Sequence, residues 1–291
     1  MKRFNGIALS VAFCSLASQA ALAQTKIDTL KVQHLNEVIV KGVRAAKEAP
    51  YAVANIRKSE LKQFSCSGQE LPFLLSRTPG ILAWSENGIG TGTTYMRIRG
   101  AAGSRINVTL DGVALNSPED QTVFWANMNS YSSLLGSIQV QRGVGSSTNG
   151  DGAFGGSISM ATAAPSLTPT AEVTGSFGSY NTYHTGASFS TGLLGKHLIF
   201  DGAYHETATD GYVDGTAGRS GSYYGGLTWL GDNFKISYKN IGNFEKTGQA
   251  WSGVLGGDYN SNFTLLEDGI RTYKDMYKAG LDKFNVLTGD L

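Results

Sequence analysis

The sequence predicts a small α+β domain followed by the first strands of an antiparallel transmembrane β-barrel. Three observations support this fold class. The 291 residues include 38 glycines and 10% aromatic residues but only 16% charged residues, a composition typical of all-β architecture and of membrane barrels. Helical and strand patterns are mixed in the first half, whereas apolar and polar residues alternate from residue 171 onward. After residue 23 no apolar run is long enough for a membrane helix, so a membrane crossing would have to use strands.

The N-terminus predicts a cleaved secretory signal over residues 1–23. Lys2 and Arg3 form a basic start, an apolar stretch follows at 7–16, and Ala21-Leu22-Ala23 is a cleavage site of the small-x-small type. A membrane anchor is the weaker interpretation, because this apolar stretch is shorter than the roughly 20 residues that a membrane-spanning helix needs.

Charge and cysteine content narrow the function classes. The formal net charge of +1 gives no reason to expect nucleic-acid binding. Signal cleavage would discard Cys14 and leave Cys66 without an internal disulfide partner. We expect Cys66 to be a buried small residue, with a reactive thiol as the alternative.

A flexible N-terminus is predicted over residues 24–47, with one β-prone element at 35–42. Within this element Val38-Ile39-Val40 is followed closely by Gly42. Such a string fits an ordinary edge strand. It also fits a strand that adds itself to an exposed sheet edge of a partner protein.

Residues 48–165 are predicted to form one α+β domain. Ser67-Gly68-Gln69-Glu70 fits a capping box, which would begin a helix that continues to about residue 77 and is ended by Pro79-Gly80. The other expected elements are a helical turn at 59–64 and strands near 51–56, 81–85, 94–99, 107–111, 138–142 and 156–162.

Residues 170–291 are predicted to be the first barrel strands. Tight turns at 195–196 and 231–232 alternate with long polar loops at 206–221 and beyond 245, as periplasmic turns and outer loops do in bacterial barrels. A soluble β-sandwich would also alternate, but aromatic residues on the outward faces favour lipid. Five strands cannot enclose a domain of this size, so we expect an incomplete barrel, either a fragment or a truncated product. The expected strands lie near 171–177, 183–189, 198–205, 223–229 and 234–239.

No set of residues in the sequence predicts a catalytic, cofactor or metal site. Residues 150–155 match G-x-G-x-x-G, but the alternating residues 157–160 predict a strand where a dinucleotide site needs a helix. We therefore interpret these glycines as backbone bends. The four histidines lack metal-ligand spacing, and an enzyme is not expected.

Three motifs together resemble the plug domain of TonB-dependent outer-membrane receptors. They are the strand–glycine bend–strand segment at 137–160, Met96-Arg97-Ile98-Arg99-Gly100 and Leu110-Asp111-Gly112-Val113. By its position the element at 35–42 resembles the TonB box of this family, which an inner-membrane energy-transducing protein of the TonB type pairs with and pulls. The expected box residues are Asn36, Glu37, Val38, Ile39 and Val40.

The resemblance also implies site residues. Plug arginines of the Arg-Gly type meet carboxylates on the inner barrel wall in this family, which assigns that role to Arg99 and Arg142. Where the family often has a glutamate before the Arg-Gly pair, this chain has Gln139 and Gln141, which leaves the local ionic network open.

Ligand contacts in the family come from plug apices and outer loops. Phe124 and Trp125 can stack on a planar ligand, or they can equally pack the plug against the wall. The expected ligand-binding residues are Asn87, Ser104, Arg105, Asn116, Phe124 and Trp125.

The function implied is active uptake of a scarce nutrient across the outer membrane of a Gram-negative bacterium. A siderophore–iron complex, haem and cobalamin fit equally, and the TonB-type protein and outer-membrane lipid are the other expected partners. The alternatives are a secreted β-rich surface adhesin and a non-functional truncated remnant of a receptor.

Overall fold

Two five-stranded sheets and a two-stranded hairpin make up the strands of the described chain. The structure is a computed structural model that describes residues 44–45, 50, 52–144, 153–251, 270 and 272–288. Within these residues, no helix has both the length and the apolar character that a membrane crossing requires. The predicted signal and the predicted TonB box lie outside the described residues.

The N-terminal domain mixes short helices and strands, as its patterns predict. Its helices are α1 Lys58–Ser65 and α2 Leu71–Leu75, with 3-10 turns at Gly103–Arg105, Trp125–Met128 and Tyr131–Ser133. Its strands are β1 Ala52–Arg57, β2 Ile81–Ser85, β3 Thr94–Ile98, β4 Ile106–Leu110, β5 Val113–Ala114, β6 Leu135–Arg142 and β7 Gly156–Thr162.

The main sheet of this domain has the order β1-β6-β7-β4-β5, and β2 pairs with β3 separately. Strands β4 and β7 are parallel, and the other pairs are antiparallel. Successive residues of a strand point to opposite faces, so Ile138 and Val140 of β6 lie on the same face. This face belongs to the hydrophobic core, which also contains Phe64 of α1. Burial of these apolar side chains drives the packing of the helices onto the sheet.

Two local predictions in this domain are wrong. The proposed capping box does not cap a helix: the Ser67 hydroxyl accepts from the Gln69 N–H, and α2 begins only at Leu71. Pro72 in the first turn has no N–H that needs a cap, and Glu70 precedes the helix without a side-chain cap bond. Cys66 is exposed rather than buried, because Leu61 and Phe64 take the core-facing positions of α1.

The five strands predicted after residue 170 are confirmed and form what we call the wall sheet. They are antiparallel neighbours in sequence order. The loop expected at 206–221 is limited to 210–217, because residues 206–209 continue the ladder with 218–221. The strands are β8 Thr170–Phe177, β9 Tyr183–Ser190, β10 Leu198–Thr209, β11 Gly218–Leu230 and β12 Lys235–Thr247, and one further helix follows, α3 Tyr273–Lys278.

The two faces of the wall sheet differ. The outward face exposes large apolar side chains, with Val173 84% and Phe177 79% exposed. The inward face buries polar side chains such as His184, Thr207 and Thr228. This is the apolar-out, polar-in pattern of transmembrane barrel strands.

Candidate functional site

The contact surface between the N-terminal domain and the wall sheet is the candidate site. Near the linker at 163–169, Lys239 on β12 donates to the Asp111 carboxylate at 2.8 Å. The same carboxylate accepts from the Thr162 N–H at 2.9 Å and the Thr162 hydroxyl at 2.8 Å. One side chain therefore joins the turn after β4, the end of β7 and the wall.

Burial acts to raise the pKa of Asp111, but hydrogen bonds from Lys239 and Thr162 outweigh it and hold the pKa below its usual value. Asp111 also has the left-handed φ of 50°, which Asp and Asn tolerate better than most residues. The predicted turn at Asp111-Gly112 is present, but its ionic bond to the wall was not predicted.

A second ion pair crosses the same boundary. Lys62 on α1 and Glu172 on β8 are 2.7 Å apart. Both side chains are well exposed, so this pair contributes little to stability. Beside it, a cavity of about 490 Å³ separates α1 from the wall and is lined by Asp201, His205 and Tyr224 among other residues. The contact is thus incompletely packed on this side.

Arg99 and Arg142, the two arginines predicted to meet the wall, make their contacts within the N-terminal domain. Arg142 donates to the Pro79 carbonyl at 2.7 Å, and the Arg99 guanidinium lies beside Gly143. In the part of the chain that the structure describes, the ion pairs are Lys62–Glu172, Arg219–Glu206 and Lys239–Asp111, so neither arginine has a carboxylate partner there. Their pairing with the wall stays a prediction.

At the other end of the wall strands, the plug loop at 86–93 contacts the loops that follow β10 and β12. The Asn87 carbonyl accepts from the Tyr212 N–H at 2.9 Å. Glu86 accepts from the Tyr95 hydroxyl at 2.6 Å and from the Ala250 N–H at 3.0 Å. Burial and the hydrogen bond to Glu86 raise the pKa of Tyr95 to about 12. The loop is therefore fastened to the segments that follow β10 and β12.

The predicted ligand-binding residues do not form one cluster of free side chains. Asn87 is buried. Its side-chain nitrogen donates to the Thr91 hydroxyl, and its side-chain oxygen accepts from the Ile89 N–H. Asn116 accepts from the Val108 N–H at 2.8 Å and donates to the Ile106 and Gln121 carbonyls. Both amides are thus occupied within their own loops.

The remaining candidates differ in exposure. Phe124 is 59% exposed, whereas Trp125 is 6% exposed and belongs to the core. Arg105 is exposed, and its guanidinium lies 6.0 Å from the centre of the Phe154 ring; Ser104 is half-buried beside it. Trp125 is therefore packed in the core, whereas Phe124 and Arg105 have exposed surface. Ligand binding by these residues stays a prediction.

Sequence reasoning missed a cluster on the outer loops. The Lys283 ammonium lies 5.8 Å from the Tyr180 ring centre and 5.7 Å from that of Tyr212. The Tyr212 hydroxyl donates to Asp282, and this hydrogen bond is the main reason that the pKa of Tyr212 is raised to about 12. No local pattern could have revealed a cluster whose members lie up to 103 residues apart, from Tyr180 to Lys283.

Comparison with known proteins agrees with this arrangement. Residues 45–157 match the family described as the TonB-dependent receptor plug domain. This match identifies residues 45–157 as a TonB-dependent receptor plug domain. Together with the antiparallel wall sheet, this plug domain confirms the predicted fold class. Among curated proteins, none is significantly similar in sequence.

Solved structures share the fold of the plug and wall. The ferripyoverdine receptor of Pseudomonas aeruginosa is 16% identical, with a TM-score of 0.57 over 74% of this chain and 28% of the receptor. The siderophore receptor PirA of Acinetobacter baumannii is 19% identical, with a TM-score of 0.51 over 68% and 32%. The ferric citrate transporter FecA is 20% identical, with a TM-score of 0.53 over 69% and 32%. The chain therefore spans about a third of the length of these structures.

Proposed function

We propose that this chain is the plug and first wall of a TonB-dependent receptor that imports a scarce nutrient, with a ferric chelate of the siderophore class as the favoured ligand. The observation that carries the proposal is the polar contact between plug and wall, seen at Asp111–Lys239 and Asn87–Tyr212. Water can replace such hydrogen bonds at small net cost, so a plug held by them can be remodelled. The titles of the similar structures name siderophore and ferric citrate receptors, which favours ferric chelates over haem and cobalamin.

The proposed mechanism has four steps. The ligand binds at the outer face of the plug, where Phe124 and Arg105 offer exposed side chains. Binding frees the TonB box at Asn36–Val40. The TonB-type protein adds to this box as a strand and pulls. The plug then remodels, and the ligand passes between plug and wall to the periplasm.

Energy reaches the receptor through the TonB-type protein, so this chain acts as a transporter and not as a catalyst. The plug arginines Arg99 and Arg142 would then pair with carboxylates of the completed wall. In this proposal Asn87 and Asn116 hold the shape of their loops through the hydrogen bonds of their amides. Ser104, beside the exposed Arg105, adds a hydroxyl group to the ligand-binding face.

The box assignment is tested by Val38→Pro in the complete receptor. Proline removes the backbone N–H that an added strand must donate, so uptake should stop while ligand binding persists. Uptake is followed with radioactive iron supplied as ferric citrate and as hydroxamate and catecholate chelates, and binding by calorimetry on the purified receptor. Val38→Ile, which keeps the N–H and the β-branched side chain, is the matched control. Undiminished uptake by the proline variant would show that the box lies elsewhere.

A further inference from the structure

Two carboxylates, one from the plug and one from the wall, lie close together beside the plug loop at 86–93. Glu70 precedes α2, and its N–H donates to the Gly90 carbonyl of this loop at 2.8 Å. Glu245 lies two residues before the end of β12. Burial and, to a smaller extent, the charge of Glu245 raise the pKa of Glu70 well above its usual value. Glu86 of the loop adds a third negative charge near Glu245.

The described residues supply no cation to balance these charges. None of the ion pairs within them includes Glu70, Glu86 or Glu245. Glu70 is only 2% exposed, so its side chain is already enclosed. Its Oε2 atom and the Oε1 atom of Glu245 have no hydrogen-bond partner in the described part of the chain. Buried carboxylates are normally paired with a cation or coordinate a metal ion.

Asn129 is a second, independent sign of a bound ligand. It is fully buried, at 0% exposed, and neither its Oδ1 nor its Nδ2 atom has a partner among the described residues. The 3-10 turn Trp125–Met128 just before it contacts both α2 and β12. The amide therefore lies beside the Glu245 carboxylate, but without the geometry of a hydrogen bond. Buried amides are normally hydrogen-bonded, so this one points to a ligand between the two side chains.

A small polar cavity adjoins Glu245 between the plug and the wall. Its volume is about 10 Å³, close to the least that holds one water molecule. Thr91 and Gly92 of the plug line it together with Ser220, Glu245 and Thr247 of the wall. A Cβ at Gly92 would lie 2.9 Å from the Thr247 hydroxyl and 3.7 Å from the Oε1 atom of Glu245, so a larger residue would fill this space. The cavity admits a small ion but not another side chain.

We propose that Glu70, Glu245 and Asn129 form a calcium site that joins the plug to the wall. Two carboxylates and an amide carbonyl offer only oxygen atoms, the ligands that Ca²⁺ and Mg²⁺ prefer. In the described part of the chain, no three His, Cys, Asp or Glu side chains gather as metal ligands, so the neutral amide and water complete the coordination shell. Ca²⁺ accepts such a flexible shell, whereas Mg²⁺ requires a nearly ideal octahedron.

The bound ion acts as a removable link between the two parts of the molecule. Its two positive charges offset the two carboxylates and hold the residues around Glu70 against β12. Without the ion the carboxylates repel each other, and this part of the boundary loosens. Calcium sites of extracellular modules have dissociation constants of about 0.1–1 mM, and a site with two carboxylates belongs in this range. The seating of the plug should therefore respond to millimolar calcium, whichever nutrient the receptor carries.

Hydrogen–deuterium exchange on the purified complete receptor in detergent tests the site in place. After treatment with EDTA, about 5 mM CaCl₂ should slow exchange in peptides covering 69–75 and 127–133 roughly sixfold, the factor 1 + [L]/Kd for a Kd near 1 mM. The same concentration of MgCl₂ should have a smaller effect. Glu70→Gln and Glu245→Gln should each lose most of the calcium effect. Glu172→Gln is the matched control and should keep it, because Glu172 is well exposed and pairs with Lys62.

Thermal unfolding in EDTA separates a calcium site from a purely structural role of the carboxylates. Glutamine removes the repulsion between Glu70 and Glu245, so both variants should melt at the temperature of the parent receptor or above it when calcium is absent. Variants that melt below the parent in EDTA and yet keep the calcium effect on exchange would overturn the proposal.

The parent receptor alone gives a decisive result if a variant fails to fold. Equal exchange rates in CaCl₂ and in EDTA for the peptides at 69–75 and 127–133 would overturn the proposal and would leave a bound proton to neutralise Glu70. The measurement needs neither the nutrient nor the TonB-type protein, so its outcome is independent of transport.

Discussion

At the scale of single residues, Asp111 connects the plug to the wall through a carboxylate with three hydrogen-bond donors. Two come from Thr162 and one from Lys239. The side chain is about one-quarter exposed, at 26%, so water screens these bonds only in part. Such an arrangement stabilises the charged form of the acid and should make the seating of the plug depend on pH.

Asp111→Asn should lower the stability of the plug by roughly 1.5–3 kcal/mol at pH 7, the usual contribution of hydrogen bonds to a charged group. Asparagine keeps the left-handed backbone conformation, so the loss reports the charge. Because the pKa of Asp111 is lowered in the folded protein, its contribution is present above the unfolded pKa of about 3.9 and disappears as the pH falls through the folded value. We therefore expect the difference in melting temperature between Asp111→Asn and the parent protein to be smaller at pH 3 than at pH 7.

Lys239→Met provides the complementary measurement. It removes the cation but leaves both Thr162 bonds to Asp111 in place, so its effect at pH 7 should be smaller than that of Asp111→Asn. Equal stability of Asp111→Asn and the parent at pH 7 would mean that Asp111 serves the turn alone.

At the scale of elements, the strands could be predicted from the sequence, but contacts between residues far apart in the sequence could not. A period of two over five to eight residues predicts a strand, and each strand predicted between residues 51 and 239 is present in the structure. The β-prone element at 35–42 lies outside the described residues. The helix expected from Ser67 shrank to Leu71–Leu75, because local sequence does not reveal that the Glu70 N–H bonds the Gly90 carbonyl instead. The contacts of Ala45 with Gln139 and of Asp111 with Lys239 span 94 and 128 residues, so no periodicity could indicate them.

The glycine bend between β6 and β7 provides a prediction at this scale. A Cβ at Gly155 would lie 2.4 Å from the Ala101 Cβ and 3.1 Å from the Arg105 carbonyl oxygen. Gly155→Ala should therefore destabilise the plug by roughly 1–3 kcal/mol through overpacking. Gly178→Ala is the control, because nothing lies within 4 Å of a Cβ there. Both variants are measured by urea unfolding of the complete receptor, in which hydrogen exchange across β6 and β7 reports the unfolding of the plug. If Gly155→Ala and Gly178→Ala unfold at the same urea concentration, Gly155 has no packing role.

At the scale of the whole molecule, the wall sheet carries a band of apolar side chains between two polar borders. On the outward face of β11, Arg219 pairs with Glu206 at 2.7 Å, and Tyr183 and Tyr204 donate to the same carboxylate. Ten residues further along β11, Trp229 stacks on His197 with ring centres 5.2 Å apart. Ten residues of strand tilted by about 40° rise roughly 25 Å, the height of the apolar band in outer-membrane barrels.

Gly225 lies near the middle of this band and tests it directly, because a Cβ there meets nothing within 4 Å. Gly225→Arg should destabilise the receptor by roughly 2–4 kcal/mol, the effect of an arginine facing lipid at the bilayer midplane. Gly225→Leu places an apolar side chain at the same point and should fold as well as the parent or better. Unfolding in lipid vesicles and the amount of receptor in the outer membrane measure the difference. Equal behaviour of the two variants would mean that this face meets water, which contradicts the placement of the wall sheet in the membrane and favours the surface adhesin.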